Sequence, residues 1–185
     1  MGLLESIPRI RGHRLAELPV IPGRVPDPLQ LPTLSTHPIA AAMGAEVTGV
    51  DLCEVTDEQF ADIEAALYHH GLLVFRDQHL THAAQERFTE RFGEHGTDAY
   101  TSGVPGHPNI QPVIREPGPE LPIFFGANWH TDSPFLERPP AISMLRSVQT
   151  PPYGGDTLYA SSRTAYQRLS PAYRCLLDGL RDDGA

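Results

Sequence analysis

The chain has 185 residues, 40% of them hydrophobic, which suits one ordinary domain with a real core and leaves too little for two. Fourteen basic residues against 23 acidic ones give a formal net charge of -9, and no Lys/Arg stripe is present to neutralise phosphates, so nucleic acid is not an expected partner. No apolar run reaches the roughly 18 to 20 residues needed to cross a bilayer, and Cys53 and Cys175 lack metal or redox spacing, so a cytoplasmic protein with reduced thiols is expected.

Residues 1–40 hold seven prolines and no sustained periodicity, which predicts an extended arm ahead of a domain spanning 41–185. AEVTGVDL (45–52) predicts a strand interrupted by Gly49. TDEQFADIEAALYHHG (56–71) predicts a capped helix. Thr56 and Gln59 form a capping box, Phe60, Ile63 and Leu67 share a face, and Gly71 is the stop. At the end of that helix His69 and His70 would favour the dipole as cations. LLVFRD (72–77) has the length and apolarity of a buried strand. A second helix follows with Thr81 as N-cap, Ala84, Phe88 and Phe92 on one face, and Gly93 as its end.

Residues 94–128 are rich in Gly and Pro and read as a long loop region with one strand near NIQPVIRE (109–116). AISMLRSVQ (141–149), the turn PPYGG and DTLYAS (156–161) predict strand, turn and strand. The last element, SPAYRCLLDGLRD, predicts a helix with Ser170 as N-cap, Pro171 at its first position, and Tyr173, Leu176, Leu177 and Leu180 on one face.

The residues that carry chemistry lie in WHTD (129–132). In extended backbone the side chains alternate, so His130 and Asp132 project to one side and Thr131 to the other. An imidazole and a carboxylate side by side are two parts of the 2-His-1-carboxylate triad that holds Fe(II) and leaves positions open. The spacing also fits a surface histidine beside an aspartate, because a chain with nine histidines and 23 acidic residues contains about one His-x-Asp/Glu by chance.

The surroundings of the motif are more specific. NWHTDSPFLERPPAISMLRSVQTPPYGGDTLYASSRTAYQRLS (128–170) resembles the taurine / 2,4-dichlorophenoxyacetate dioxygenase family of Fe(II)- and 2-oxoglutarate-dependent oxygenases. GAEVTGVDL (44–52) and HGLLVFRDQHLTHAAQERFTERFGE (70–94) resemble the N-terminal region of the same family, so the likeness covers about residues 40 to 180. It implies a mainly β fold with flanking helices (α+β), a double-stranded β-helix or jelly roll incomplete at its C-terminal end. It also implies His130 and Asp132 as iron ligands and Thr157 as the hydroxyl that binds a carboxylate of the cosubstrate 2-oxoglutarate. The implied reaction uses O2, hydroxylates a small anionic organic molecule (an organic acid, sulfate ester or sulfonate) and releases succinate and CO2. Trp129 is expected to pack behind the site.

The resemblance has gaps. His130 is the last histidine of the chain, and the family's distal histidine and its 2-oxoglutarate-binding arginine have no counterpart here. His69, His70, His79, His82, His95 and His107 carry no ligand pattern of their own, and Arg174 and Arg181 do not match the arginine. Gly126 stands where taurine-cleaving members place an asparagine, and Asp98 to Thr101 contain no counterpart of their His, which disfavours taurine. An incomplete barrel would expose strand edges and apolar faces, so association into a homo-oligomer, or a catalytically silent half-barrel, are the expectations that compete with an active enzyme.

Overall fold

The structure is a computed structural model, and it describes residues 29, 31–96, 102–114 and 128–180. These fall into two compact units, one joining 31–79 to 147–180 and the other formed by 80–146. Residues 1–28, Asp98 to Thr101, Gly126 and Arg181 lie outside the described residues, and with them most of the proline-rich stretch.

The first unit is built on a three-stranded sheet of β1 (Ser35–Pro38), β2 (Ala45–Thr48) and β3 (Leu73–Phe75), in the order β1-β2-β3. The β1 and β2 strands are antiparallel, with Thr36 opposite Val47, and β2 and β3 are parallel, with Glu46 opposite Val74. Alternation sends Ala45 and Val47 into the core while Glu46 faces the other way and takes the Arg76 guanidinium at 2.9 Å. The end of the proline-rich stretch is therefore part of the packed unit: Ser35–Pro38 is a strand, and Leu34 and Thr36 are buried. Proline is tolerated there because β1 is an edge strand and Pro38 closes it.

Helix α1 (Asp57–His70) is the parallel crossover between β2 and β3. Its start and stop are those the sequence predicts. The Gln59 N–H donates to the Thr56 hydroxyl at 3.2 Å, the Thr56 N–H donates to Gln59 Oε1 at 3.1 Å, and Gly71 takes the left-handed conformation at φ 73°. Phe60, Ile63 and Ala66 are at most 1% exposed and form the centre of the core with Ala45, Val47 and Leu52. Side chains fasten the edges of this unit. Asp62 Oδ2 accepts from both the N–H and the hydroxyl of Thr33, and Gln78 donates to the Val50 carbonyl while accepting from the Leu52 N–H.

His70 departs from the expectation of a cation at the helix end. It is 2% exposed, neither ring nitrogen has a hydrogen-bond partner among the described residues, and burial, reinforced by neighbouring His69, pushes its pKa down to about 4. At neutral pH it is an uncharged core residue.

The second unit is organised by α2 (His82–Glu90), capped by Thr81, whose hydroxyl accepts the Ala84 N–H at 3.1 Å. Leu80, Ala84 and Phe88 are buried, and Phe88 meets Phe92 edge to face. The helix ends at Glu90 with Arg91 as its C-cap, slightly earlier than the predicted stop at Gly93, which takes a positive φ two residues further on.

Residues 128–180 diverge most from the sequence reading. The segments expected as strands at 141–149 and 156–161, and the described part of 109–116, form no ladder. A strand exists only through its neighbour's backbone groups, and none of these segments has a partner strand among the described residues. Their apolar side chains accordingly face solvent: Leu145, Val148 and Leu158 are 64%, 80% and 73% exposed. No residue of 128–180 is buried. The region instead holds two short helices, α3 (Ser162–Arg168), which was not foreseen, and α4 (Pro171–Leu177), which has the predicted Ser170 cap and proline start. The described residues are thus mixed α and β, not mainly β.

Candidate metal centre

His130 and Asp132 lie in the second unit, on a non-strand stretch that ends in a sharp bend. Ser133 adopts φ 44°, an uncommon conformation for a non-glycine residue, and its carbonyl accepts the Leu136 N–H at 3.2 Å to close the turn. The bend sends the chain away immediately after Asp132 and leaves the two side chains facing a common space.

Their orientations are fixed from behind. His130 Nδ1 lies 2.8 Å from the Asn128 carbonyl oxygen. A carbonyl can only accept, so Nδ1 is the protonated nitrogen and, in the neutral ring, Nε2 keeps its lone pair. Nε2 stands 3.5 Å from Asp132 Oδ1, and both side chains are 54% exposed. That separation is longer than a good hydrogen bond, so the pair is not closed upon itself. The other carboxylate oxygen, Oδ2, accepts the Ser143 hydroxyl at 2.5 Å. Each candidate ligand therefore points one atom outward and has the other occupied, the arrangement by which supporting groups orient metal ligands.

The residues present fit a divalent first-row ion in part. Ligand atoms about 2.1 Å from one ion and at right angles stand roughly 3 Å apart, so the observed 3.5 Å needs only a small side-chain rotation. A nitrogen and an oxygen suit iron better than a purely thiolate or purely oxygen set would. Among the described residues no group of three His, Cys, Asp or Glu side chains comes together, so the third position is not filled from them. Four of the described histidines are engaged elsewhere or buried: His107 bonds Glu86 at 2.6 Å, His95 lies 3.5 Å from Glu90, His82 accepts from Arg146 at 3.0 Å, and His70 is in the core.

Thr157 belongs to the first unit, in the exposed stretch after Gly154 and Gly155, whose φ values of 79° and 75° make a turn that residues with a Cβ adopt with difficulty. It is not in a strand. Trp129 does not pack behind the site as expected; its indole is 70% exposed because no described residue of 128–146 is buried around it. Ser143 escaped the sequence reading, where it was one polar residue in a predicted strand. Eleven positions separate it from Asp132, and no periodicity links the two.

Comparison with known proteins gives this geometry its setting. Residues 35–183 match the model of the Taurine catabolism dioxygenase TauD, TfdA family, and the chain belongs to that family. It is 37% identical over 149 residues to an alpha-ketoglutarate-dependent sulfate ester dioxygenase of Pseudomonas putida, covering 80% of this chain and 48% of the relative. It is 32% identical to the (S)-phenoxypropionate/alpha-ketoglutarate-dioxygenase of Delftia acidovorans, over 78% of this chain and 52% of that protein. The crystal structure of a taurine dioxygenase from Burkholderia xenovorans superposes with a TM-score of 0.66 at 35% identity, over 80% of this chain and 52% of its own. The chain spans about half the length of the relatives it matches.

Proposed function

We propose that this chain carries part of the active site of an Fe(II)- and 2-oxoglutarate-dependent dioxygenase with the double-stranded β-helix fold of its family. The observation that carries the reading is the outward pairing of His130 Nε2 and Asp132 Oδ1 at 3.5 Å, with Nδ1 and Oδ2 both held from behind. His130 and Asp132 would hold the iron, and the Thr157 hydroxyl would donate to a carboxylate oxygen of 2-oxoglutarate. Bound iron and cosubstrate supply the oxidising power, while the protein's share is binding and orientation. Asn128 and Ser143 keep the two ligand atoms turned towards the ion.

The substrate class follows the relatives, whose names specify a sulfate ester and a phenoxypropionate. A small anionic organic molecule, sulfate ester, sulfonate or organic acid, is hydroxylated at a C–H bond with release of succinate and CO2. For a sulfate ester, hydroxylation of the carbon bearing the ester oxygen gives an aldehyde and free sulfate. Among the described residues no helix is long and apolar enough to cross a membrane. The reading includes a cytoplasmic enzyme that works on small molecules, without nucleic acid, and that can associate as a homo-oligomer.

A second reading is favoured by two observations, the lack of a third ligand among the described residues and the lack of any buried residue in 128–180. It is a half-barrel that holds metal weakly and does not turn over. Turnover separates the two. Fe(II), 2-oxoglutarate, O2 and a medium-chain alkyl sulfate should give succinate and sulfate in equal amounts, lost in His130→Ala. Metal binding without succinate would favour the half-barrel.

A further inference from the structure

We propose that Ser143 is a positioning residue for Asp132, selecting which carboxylate oxygen meets the metal; this rests on the reading of His130 and Asp132 as a metal pair. A free carboxylate has two equivalent oxygens and a soft terminal torsion, so nothing intrinsic to Asp132 keeps Oδ1 beside His130 Nε2. The Ser143 hydroxyl breaks the equivalence by donating to Oδ2 at 2.5 Å, a charge-assisted bond. Oδ1 is then the single outward oxygen, 3.5 Å from Nε2, and the aspartate is set up to bind through one atom, leaving coordination positions for other groups.

Ser143 can act this way because its own segment is tethered. Three residues on, the Arg146 guanidinium donates through one terminal nitrogen to the Leu80 carbonyl and through the other to His82 Nδ1 at 3.0 Å. Leu80 is 8% exposed and immediately precedes the N-cap of α2, and His82 opens that helix. A run of fixed contacts thus leads from the start of α2 through Arg146 and Ser143 to Asp132, all within the second unit. The tether supplies to an exposed, unpaired stretch the rigidity that a strand neighbour would otherwise give.

The test is Mn(II) affinity, read by water-proton relaxation enhancement, which reports weak as well as tight binding. The full chain is compared with Ser143→Ala, Ser143→Thr and Asp132→Ala. Ser143 is exposed, so loss of its hydroxyl should leave the melting temperature unchanged. Ser143→Ala should weaken Mn(II) binding by about tenfold or more, the usual effect of removing a group that orients a ligand, and Ser143→Thr should restore it to within about threefold. Equal or tighter binding by Ser143→Ala, with Asp132→Ala still impaired, would overturn the positioning role alone. Wild-type affinity in Asp132→Ala, or no binding by the parent chain, would overturn the metal pair and the role of Ser143 with it.

Discussion

Residues 31–96 and residues 128–180 obey different rules. The first stretch contains every buried residue among those described, from Leu34 to Phe88, and its helices and strands are closed by caps, cross-strand pairs and side-chain ties. The second contains none, although it holds Trp129, Leu145, Val148, Tyr153 and Leu158, and it also carries the candidate ligands. Apolar composition does not make a core. Phe60 and Leu158 are both large hydrophobes, but only Phe60 sits on an element whose neighbours in space are also its neighbours in the β2-α1-β3 unit. His130 and Asp132 hold their geometry without burial because two hydrogen bonds, one from His130 to the Asn128 carbonyl and one from the Ser143 hydroxyl to Asp132, substitute for packing.

The largest expected effect is in the core. Phe60→Ala should cost about 3 to 5 kcal/mol in urea unfolding, by lost burial plus the cavity left behind, whereas Leu158→Ala should stay within about 0.5 kcal/mol. Similar losses at both sites would erase the distinction between the two stretches.

Next comes the buried imidazole. His70 has a folded pKa of about 4, below the ordinary value of 6.5, so the unfolded chain takes up its proton first on acidification. The stability it contributes is complete above about pH 6.5 and falls as pH drops towards 4, by on the order of 3 kcal/mol. His70→Leu should flatten unfolding free energy across that window, and an unchanged pH slope would show that His70 is not the titrating group.

Smaller effects test local signals. Thr56→Ala removes the capping box of α1 and should cost about 1 kcal/mol, read as a lower midpoint in urea. At the other extreme, Ser133→Gly relieves a positive φ and should stabilise the bend by roughly 0.5 kcal/mol, the strain of a Cβ there less the extra freedom glycine gives the unfolded chain. Destabilisation by glycine at this position would show that the Ser133 side chain holds the bend.

The same division governs what the sequence discloses. Helix α1 is legible residue by residue, because Thr56, Gln59 and Gly71 act within a few positions of one another. The segments 141–149 and 156–161 carry strand-like composition, but a strand also needs a ladder, which no local pattern guarantees. His70 lies on a helix end that invites a cation, and only its burial reveals a neutral ring. At the site, the sequence placed His130 next but one to Asp132, and the two side chains do stand 3.5 Å apart, although not in a strand; the role given to Thr157 rests on family resemblance alone. The tie from Ser143 to Asp132 was not legible, since it joins two side chains eleven positions apart that meet only in space.

We propose His130 and Asp132 as a working part of an iron site. The most direct test of that proposal is anaerobic visible spectroscopy of the 185-residue chain with Fe(II) and 2-oxoglutarate, alongside His130→Ala and Asp132→Ala. A charge-transfer band of the iron-bound 2-oxoglutarate chelate, present in the parent chain and lost in both variants, is the predicted result. No band in the parent chain, or a band that survives both substitutions, would contradict it.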